Sequence, residues 1–141
     1  MLNGHLERRE ITLRLLAPVH IGSGESLSKK EYIFDGRYGN IYFPDFARLF
    51  TFLKGRSLIS KYEEFLLHPR DNDFRVFLRS HNITEADYPA FVSYRIAAGE
   101  AARTANLREI HTFIKDSAGQ PYIPGSSLKG VIRTAIAAYL T

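Results

Sequence analysis

Residues 123–133 read IPGSSLKGVIR. Glycine backbone, two hydroxyls and two cations are the groups that hold phosphate: Gly125 and Gly130, Ser126 and Ser127, Lys129 and Arg133. The glycine spacing matches the nucleotide loop G-x-x-x-x-G-K-[ST]. Val131 and Ile132, however, stand where that loop needs its lysine and its magnesium-binding hydroxyl. Triphosphate chemistry is therefore not expected. An ordinary helix start explains much of the stretch, with Ser126 or Ser127 as the N-cap and Gly125 in the approach turn. It does not explain Lys129, a cation in a first helical turn, or Arg133 four residues later on the same face. Each arrangement costs a few tenths of a kcal/mol. An anion at the helix start offsets both, and phosphate contact is the favoured reading.

A second glycine-rich stretch lies at residues 16–25, LAPVHIGSGE. Gly22-Ser23-Gly24-Glu25 does not continue into G-x-G-x-x-G. His20 just before it is the sharpest candidate for general acid–base chemistry. A lone histidine at a strand end more often packs or contacts a ligand, and no partner base is legible beside it. Glu25 reads as a solvated loop carboxylate. His5, His68, His81 and His111 lack metal-ligand spacing with one another, and Asp71-Asn72-Asp73 is too compressed for a calcium loop. These residues call for no metal and no cofactor. Tyr32, Tyr38, Tyr42, Tyr94 and Tyr122 could stack on unpaired bases. Arg8-Arg9 and Lys29-Lys30 could extend a basic groove, although paired surface charges are usually only solvated.

The elements that must position these groups follow from periodicity. Residues 10–16 alternate, with Ile11, Leu13 and Leu15 on one side, as in a half-buried strand. Tyr32–Phe34 and Ile41–Phe43 flank a turn-rich stretch and predict a hairpin. Pro44-Asp45 starts a helix through Phe46, Leu49, Phe50 and Leu53, and Gly55 suits its end. Helical spacing continues over 57–90 through Leu58, Ile59, Tyr62, Phe65 and Leu66, then Phe74, Phe77 and Leu78, with Pro69 between. Residues 92–97 predict a strand, and 98–105 a loop or a short helix. A second hairpin is expected over 110–123, turning at 116–120. The last helix follows Pro124-Gly125, with Leu128, Ile132, Ala135, Ile136 and Tyr139 as its apolar stripe.

With 141 residues, 45% hydrophobic and 24% charged, the chain has the composition of about one globular domain. The absence of cysteine excludes disulfides, zinc ribbons and thiol catalysis. No apolar run is long enough for a membrane span, and the first ten residues carry no secretion signal, so a cytoplasmic protein is expected. The net charge is +4, and 13 of the 19 cations are arginine. Planar guanidinium groups fork onto phosphate, which leans the reading toward a nucleic-acid partner.

Phe113 to Ala135, FIKDSAGQPYIPGSSLKGVIRTA, resembles the glycine-rich signature of the RAMP superfamily of CRISPR-associated proteins. Residues 16–25 are similar to the other end of that pattern. With a helical insert between the two, the sequence most resembles the fifth-subunit family of type III-A Csm effector complexes. The resemblance implies an α+β, RNA-recognition-motif-like (ferredoxin-like) domain. Its first strand would be residues 10–21, its first helix 127–140, and its helical insert about 45–90. Such a domain needs further strands and a second helix, so residues 1–141 are expected to be the N-terminal part of one domain. The resemblance also implies a glycine-rich loop lying on the backbone of the guide RNA, the crRNA. RNA contacts are then expected from Gly125, Ser126, Ser127, Lys129, Gly130 and Arg133, and from His20, Gly22, Ser23 and Gly24.

The implied function is a crRNA-binding structural subunit that caps the 3′ end of the crRNA and supports its maturation in antiviral defence. Its partners would be crRNA, other Csm subunits and a recruited nuclease. In the family's target-cutting subunit an aspartate follows the first strand, whereas the stretch Gly22–Lys30 here has only Glu25. Two alternatives stay open: a metal-independent RAMP-type endonuclease using His20, and a protein-interaction module that recruits a nuclease.

Overall fold

The computed structural model describes residues 10–69, 73–103 and 107–140. Arg8-Arg9, His5, Asp71 and Asn72 lie outside them. The order is β1 (Gly22–Ser28), β2 (Ile33–Asp35), β3 (Asn40–Pro44), α1 (Phe46–Gly55), α2 (Ile59–Leu67) and α3 (Phe74–Ser80), then a 3-10 helix Glu85–Ala90. After it come β4 (Val92–Ala97), a 3-10 turn Gly99–Arg103, β5 (Glu109–Phe113) and α4 (Gly125–Leu140). The chain is α+β and divides into two compact units: Ser23–Thr112, and Met1–Gly22 with Phe113–Thr141.

In the Ser23–Thr112 unit, β2, β3 and β4 form an antiparallel sheet in that order. The expected hairpin is there, with Ile33 opposite Tyr42 and Asp35 opposite Asn40. Alternation sends its residues to two cores. Ile33 joins Leu49, Leu53, Tyr62, Phe65, Phe74, Phe77, Leu78 and Phe91 under the helices. Ile41 and Phe43 join Tyr32 on the other side, against Leu27 and Ile110. β1 pairs with β5, so the second expected hairpin forms only in part. Its turn closes through Asp116 N–H to the Gln120 carbonyl at 2.9 Å, but the returning arm adds a single bridge, Lys115 to Pro121. Pro121 and Pro124 offer no N–H to a ladder, which limits the arm.

Helix boundaries follow their caps. The Asp45 carboxylate accepts the Arg48 N–H at 3.0 Å and opens α1. Gly55 is the last residue of α1, as expected, and Ser57 (φ 57°) supplies the left-handed turn after it. Two cations hold helix ends from outside. The Lys30 ammonium donates to the carbonyls of Phe65, Leu66 and His68 at 2.8–3.0 Å, at the end of α2, which has no basic residue in its last turn. The Arg48 guanidinium donates to Pro89, Ala90 and Val92 at 2.6–3.3 Å. Lys30 therefore does not extend a basic groove.

The other unit departs from expectation. Residues 11–15 are not a strand, and Ile11, Leu13, Leu15 and Leu16 are exposed. Among the described residues the first strand is β1, and Gly22-Ser23-Gly24-Glu25 belongs to it rather than to a loop. A lone extended segment leaves its N–H and C=O groups unpaired. β1 has its partner in β5; residues 11–15 have none among the described residues. The α4 stripe is present in sequence but uncovered: Ile132, Ile136 and Tyr139 are exposed, the last at 89%.

Candidate nucleic-acid interface

α4 opens at Gly125, two residues earlier than a Ser126 cap and three earlier than a Ser127 cap would place it. The Pro124 carbonyl accepts from the N–H groups of Ser127 at 3.0 Å and Leu128 at 3.1 Å. Ser126 and Ser127 thus sit inside the first turn, correcting the expected N-cap. Proline pre-sets the backbone before the helix, and glycine takes the first helical position without hindrance. The first-turn N–H groups have no intrahelical acceptor. A β-carbon placed on Gly125 or Gly130 would meet nothing within 4 Å, so neither glycine is required by packing within the described residues. Lys129 and Arg133 are exposed one turn apart, and among the described residues neither pairs with a carboxylate. The arrangement offers hydroxyls, free backbone donors and two cations on open backbone, which suits a phosphodiester approaching closely.

His20 belongs to the same unit. Its exposed ring meets Phe113 edge to face, with centroids 5.7 Å apart at 87°. No carboxylate or second base among the described residues orients it, so the geometry gives His20 an aromatic contact rather than an acid–base partner. Gly22 ends this unit, whereas Ser23 and Gly24 lie in the other. There Ser23 shares a hydrogen bond with the Thr112 hydroxyl and accepts the Glu25 N–H at 3.1 Å. Gly24 takes φ +87°, a left-handed conformation that glycine adopts without strain. Both residues therefore have roles in building β1. Tyr32 is withdrawn from stacking: it is buried, its hydroxyl donates to the Leu107 carbonyl at 2.9 Å, and burial pushes its pKa to about 12.

One cluster escaped the sequence reading. Asp35, 1% exposed, accepts from the Arg75 guanidinium at 2.9 Å and the Arg37 N–H at 3.0 Å, both through Oδ1. Arg75 also donates to the Phe34 carbonyl at 3.1 Å. Asp35 Oδ2 is buried without an N–H or O–H partner of fixed geometry, and the Glu85 carboxyl lies within hydrogen-bonding reach. Burial pushes the Asp35 carboxyl up. The Glu85 hydrogen bond, the Arg37 and Tyr38 N–H groups and the Arg75 charge outweigh it and hold the carboxyl below its ordinary value. The same shared bond, then burial and the Asp35 charge, raise Glu85. Asp35-Gly36 reads as turn chemistry, and that hid a buried carboxylate. The one available signal was Arg75, a cation in an otherwise apolar helix start.

No helix among the described residues is long and apolar enough to cross a membrane. The profile of the RAMP superfamily matches residues 12–141. The chain is 36% identical over 135 residues to a Streptococcus thermophilus protein named CRISPR system Cms protein Csm5, covering 90% of this chain and 37% of that one. Identity is 34% over 146 residues to the Enterococcus italicus protein of that name, covering 90% and 42%. A Mycobacterium tuberculosis protein of that name is 33% identical over 150 residues, covering 94% and 39%. The chain thus spans about two fifths of the length of these curated relatives. The α+β fold, the glycine-led α4 and the family match over nearly the whole sequence agree: this chain belongs to the RAMP superfamily.

Proposed function

We propose that the chain is the N-terminal part of a crRNA-binding structural subunit of a type III-A Csm effector complex, acting at the crRNA 3′ end in the cytoplasm. The observation that carries this reading is the open start of α4. Gly125 and Gly130 leave backbone uncovered, with Lys129 and Arg133 exposed beside it. Phosphodiester contact there binds RNA without reading its sequence. The relatives' names connect proteins of this kind to a CRISPR system. Partners would be crRNA and the other Csm subunits, with nuclease recruitment as a further role. The reading is of a binding subunit rather than an enzyme, because the residues assembled around α4 are donors and cations.

The domain itself is read as incomplete in these residues. Alternating apolar residues 11–15 and the apolar stripe of α4 are both uncovered, in a chain two fifths the length of its relatives. Further strands supplied by a longer chain would cover them.

Fluorescence anisotropy of a labelled single-stranded RNA across a salt series tests the function. Wild type should bind with a clear salt slope, and Lys129→Glu should weaken binding by about tenfold and flatten the slope by about 0.7. Equal binding by both proteins would reduce α4 to a helix start with no RNA role. RNA cleavage in EDTA that disappears in His20→Ala would replace the binding reading with the endonuclease one.

A further inference from the structure

In the Ser23–Thr112 unit, two hollows of about 410 and 390 Å³ adjoin and share the wall made by Glu85 and Tyr88. Arg75 and Arg79 line the first; Tyr42 and Arg95 line the second. Sheet register sets Tyr42 opposite Arg95, so both side chains rise from the same face. Arg79 and Arg95 are exposed, and among the described residues neither pairs with a carboxylate. The half-buried Tyr42 ring is braced by Tyr88, centroids 5.0 Å apart at 66°. The two hollows together form a trough with an unneutralised cation in each and, in the second, a braced aromatic ring opposite Arg95.

We propose that this trough is a second RNA-contact site, holding a short single-stranded segment with phosphates on Arg79 and Arg95 and a base against Tyr42. Each hollow has the volume of a small-ligand pocket. Aromatic rings that stack bases and arginines that bind the backbone are the parts of a single-strand platform. Glu85, on the wall shared by the two hollows, is the carboxylate that opposes a polyanion there, and the two arginines outnumber it. Arg75 is committed to Asp35 and Phe34, and shapes the wall rather than binding the ligand. A base amino group would donate to Glu85. An acidic peptide could use the two arginines but would gain nothing from the Tyr42 face.

The inference rests on the RNA-binding reading but uses a different unit, so the two fail separately. The test uses the full chain and a single-stranded RNA of about twelve nucleotides, within the usual site size, carrying 4-thiouridine. Anisotropy is measured for Arg79→Glu with Arg95→Glu, for Lys129→Glu, and for the same charge change at Arg103 and Arg108. Photocross-links on the wild type are mapped to peptides. The trough double variant should lose about tenfold in affinity and about 1.4 of salt slope, two contacts at about 0.7 each. The Arg103/Arg108 control should lose much less, and cross-links should fall on the peptides holding Tyr42 or Tyr88. Because Arg79 and Arg95 are exposed, the double variant should fold, and circular dichroism checks this. Arg79→Gln with Arg95→Gln repeats the test without charge reversal. A double variant no weaker than the control overturns the proposal, as do cross-links confined to residues 123–133 or an acidic peptide that competes as well as RNA. Loss in Lys129→Glu alone keeps the first reading and removes this one; loss in the trough variant alone does the reverse. A wild type that binds no RNA removes both.

Discussion

The Ser23–Thr112 unit and the unit around α4 use similar sequence patterns and reach different ends. Every buried hydrophobic side chain among the described residues lies between Tyr32 and Phe91. Residues 10–22 and 113–140 contain none, although Ile11, Leu13 and Leu15 alternate and α4 has an apolar stripe. Periodicity states which face an element would bury, but only a second layer buries it. In the first unit, sheet and helices supply that layer to each other. In the second, no described element does.

This contrast can be broken by mutation. Phe74→Ala empties a fully buried aromatic site among Tyr62, Phe65 and Phe77 and should cost about 3–5 kcal/mol. Ile136→Ala, on the exposed face of α4, should change stability by less than about 0.5 kcal/mol. Urea unfolding of both variants measures the difference. A large loss in Ile136→Ala would mean that α4 is covered in solution, by a second copy or otherwise.

Asp35→Asn comes next in size. It leaves the half-buried Arg75 without its counterion and should cost about 3 kcal/mol at neutral pH. The folded Asp35 carboxyl lies below its unfolded value, so its stabilisation is present above about pH 4 and lost as pH falls further through the depressed value. Wild type and Asp35→Asn should therefore converge in stability on acidification below pH 4. A gap that stayed constant down to pH 2 would rule out the ion pair as its source.

The smallest effect is spectroscopic. Burial lifts the hydroxyls of Tyr32 and Tyr88 to about 12. An ultraviolet titration should show a late group of phenols near 12. Because the two folded values are raised, the stability that these neutral phenols contribute is whole below pH 10 and falls as pH climbs from 10 toward 12. Tyr32→Phe should remove one equivalent from the late group.

Local chemistry was the legible part of the fold. Asp45 as a cap, the Ile33–Phe43 hairpin and the helical spacing of Tyr62, Phe65, Phe74 and Phe77 are set by neighbours in sequence, and they appear where periodicity puts them. Residues 11–15 failed as a strand because pairing is non-local. Gly22 to Glu25 became strand because β5 was there to receive it. At the candidate interface the glycines and cations were legible, but the true helix start was not. Pro124 and Gly125 open α4 by backbone alone, which no side-chain signal announces. The Asp35–Arg75–Glu85 cluster joins three separate elements, and nothing local marks it.

The pairing of β1 with β5, closed by the Ser23–Thr112 hydroxyl bond, brings together the two points where the larger unit joins the rest of the chain. To the remaining sequence, everything between them behaves as a single bridged gap. Closing a gap whose ends already touch adds little entropic penalty, however long the insert. The unit therefore carries its own closure: it could be grown at its far side, or moved into another protein, without stretching the junction.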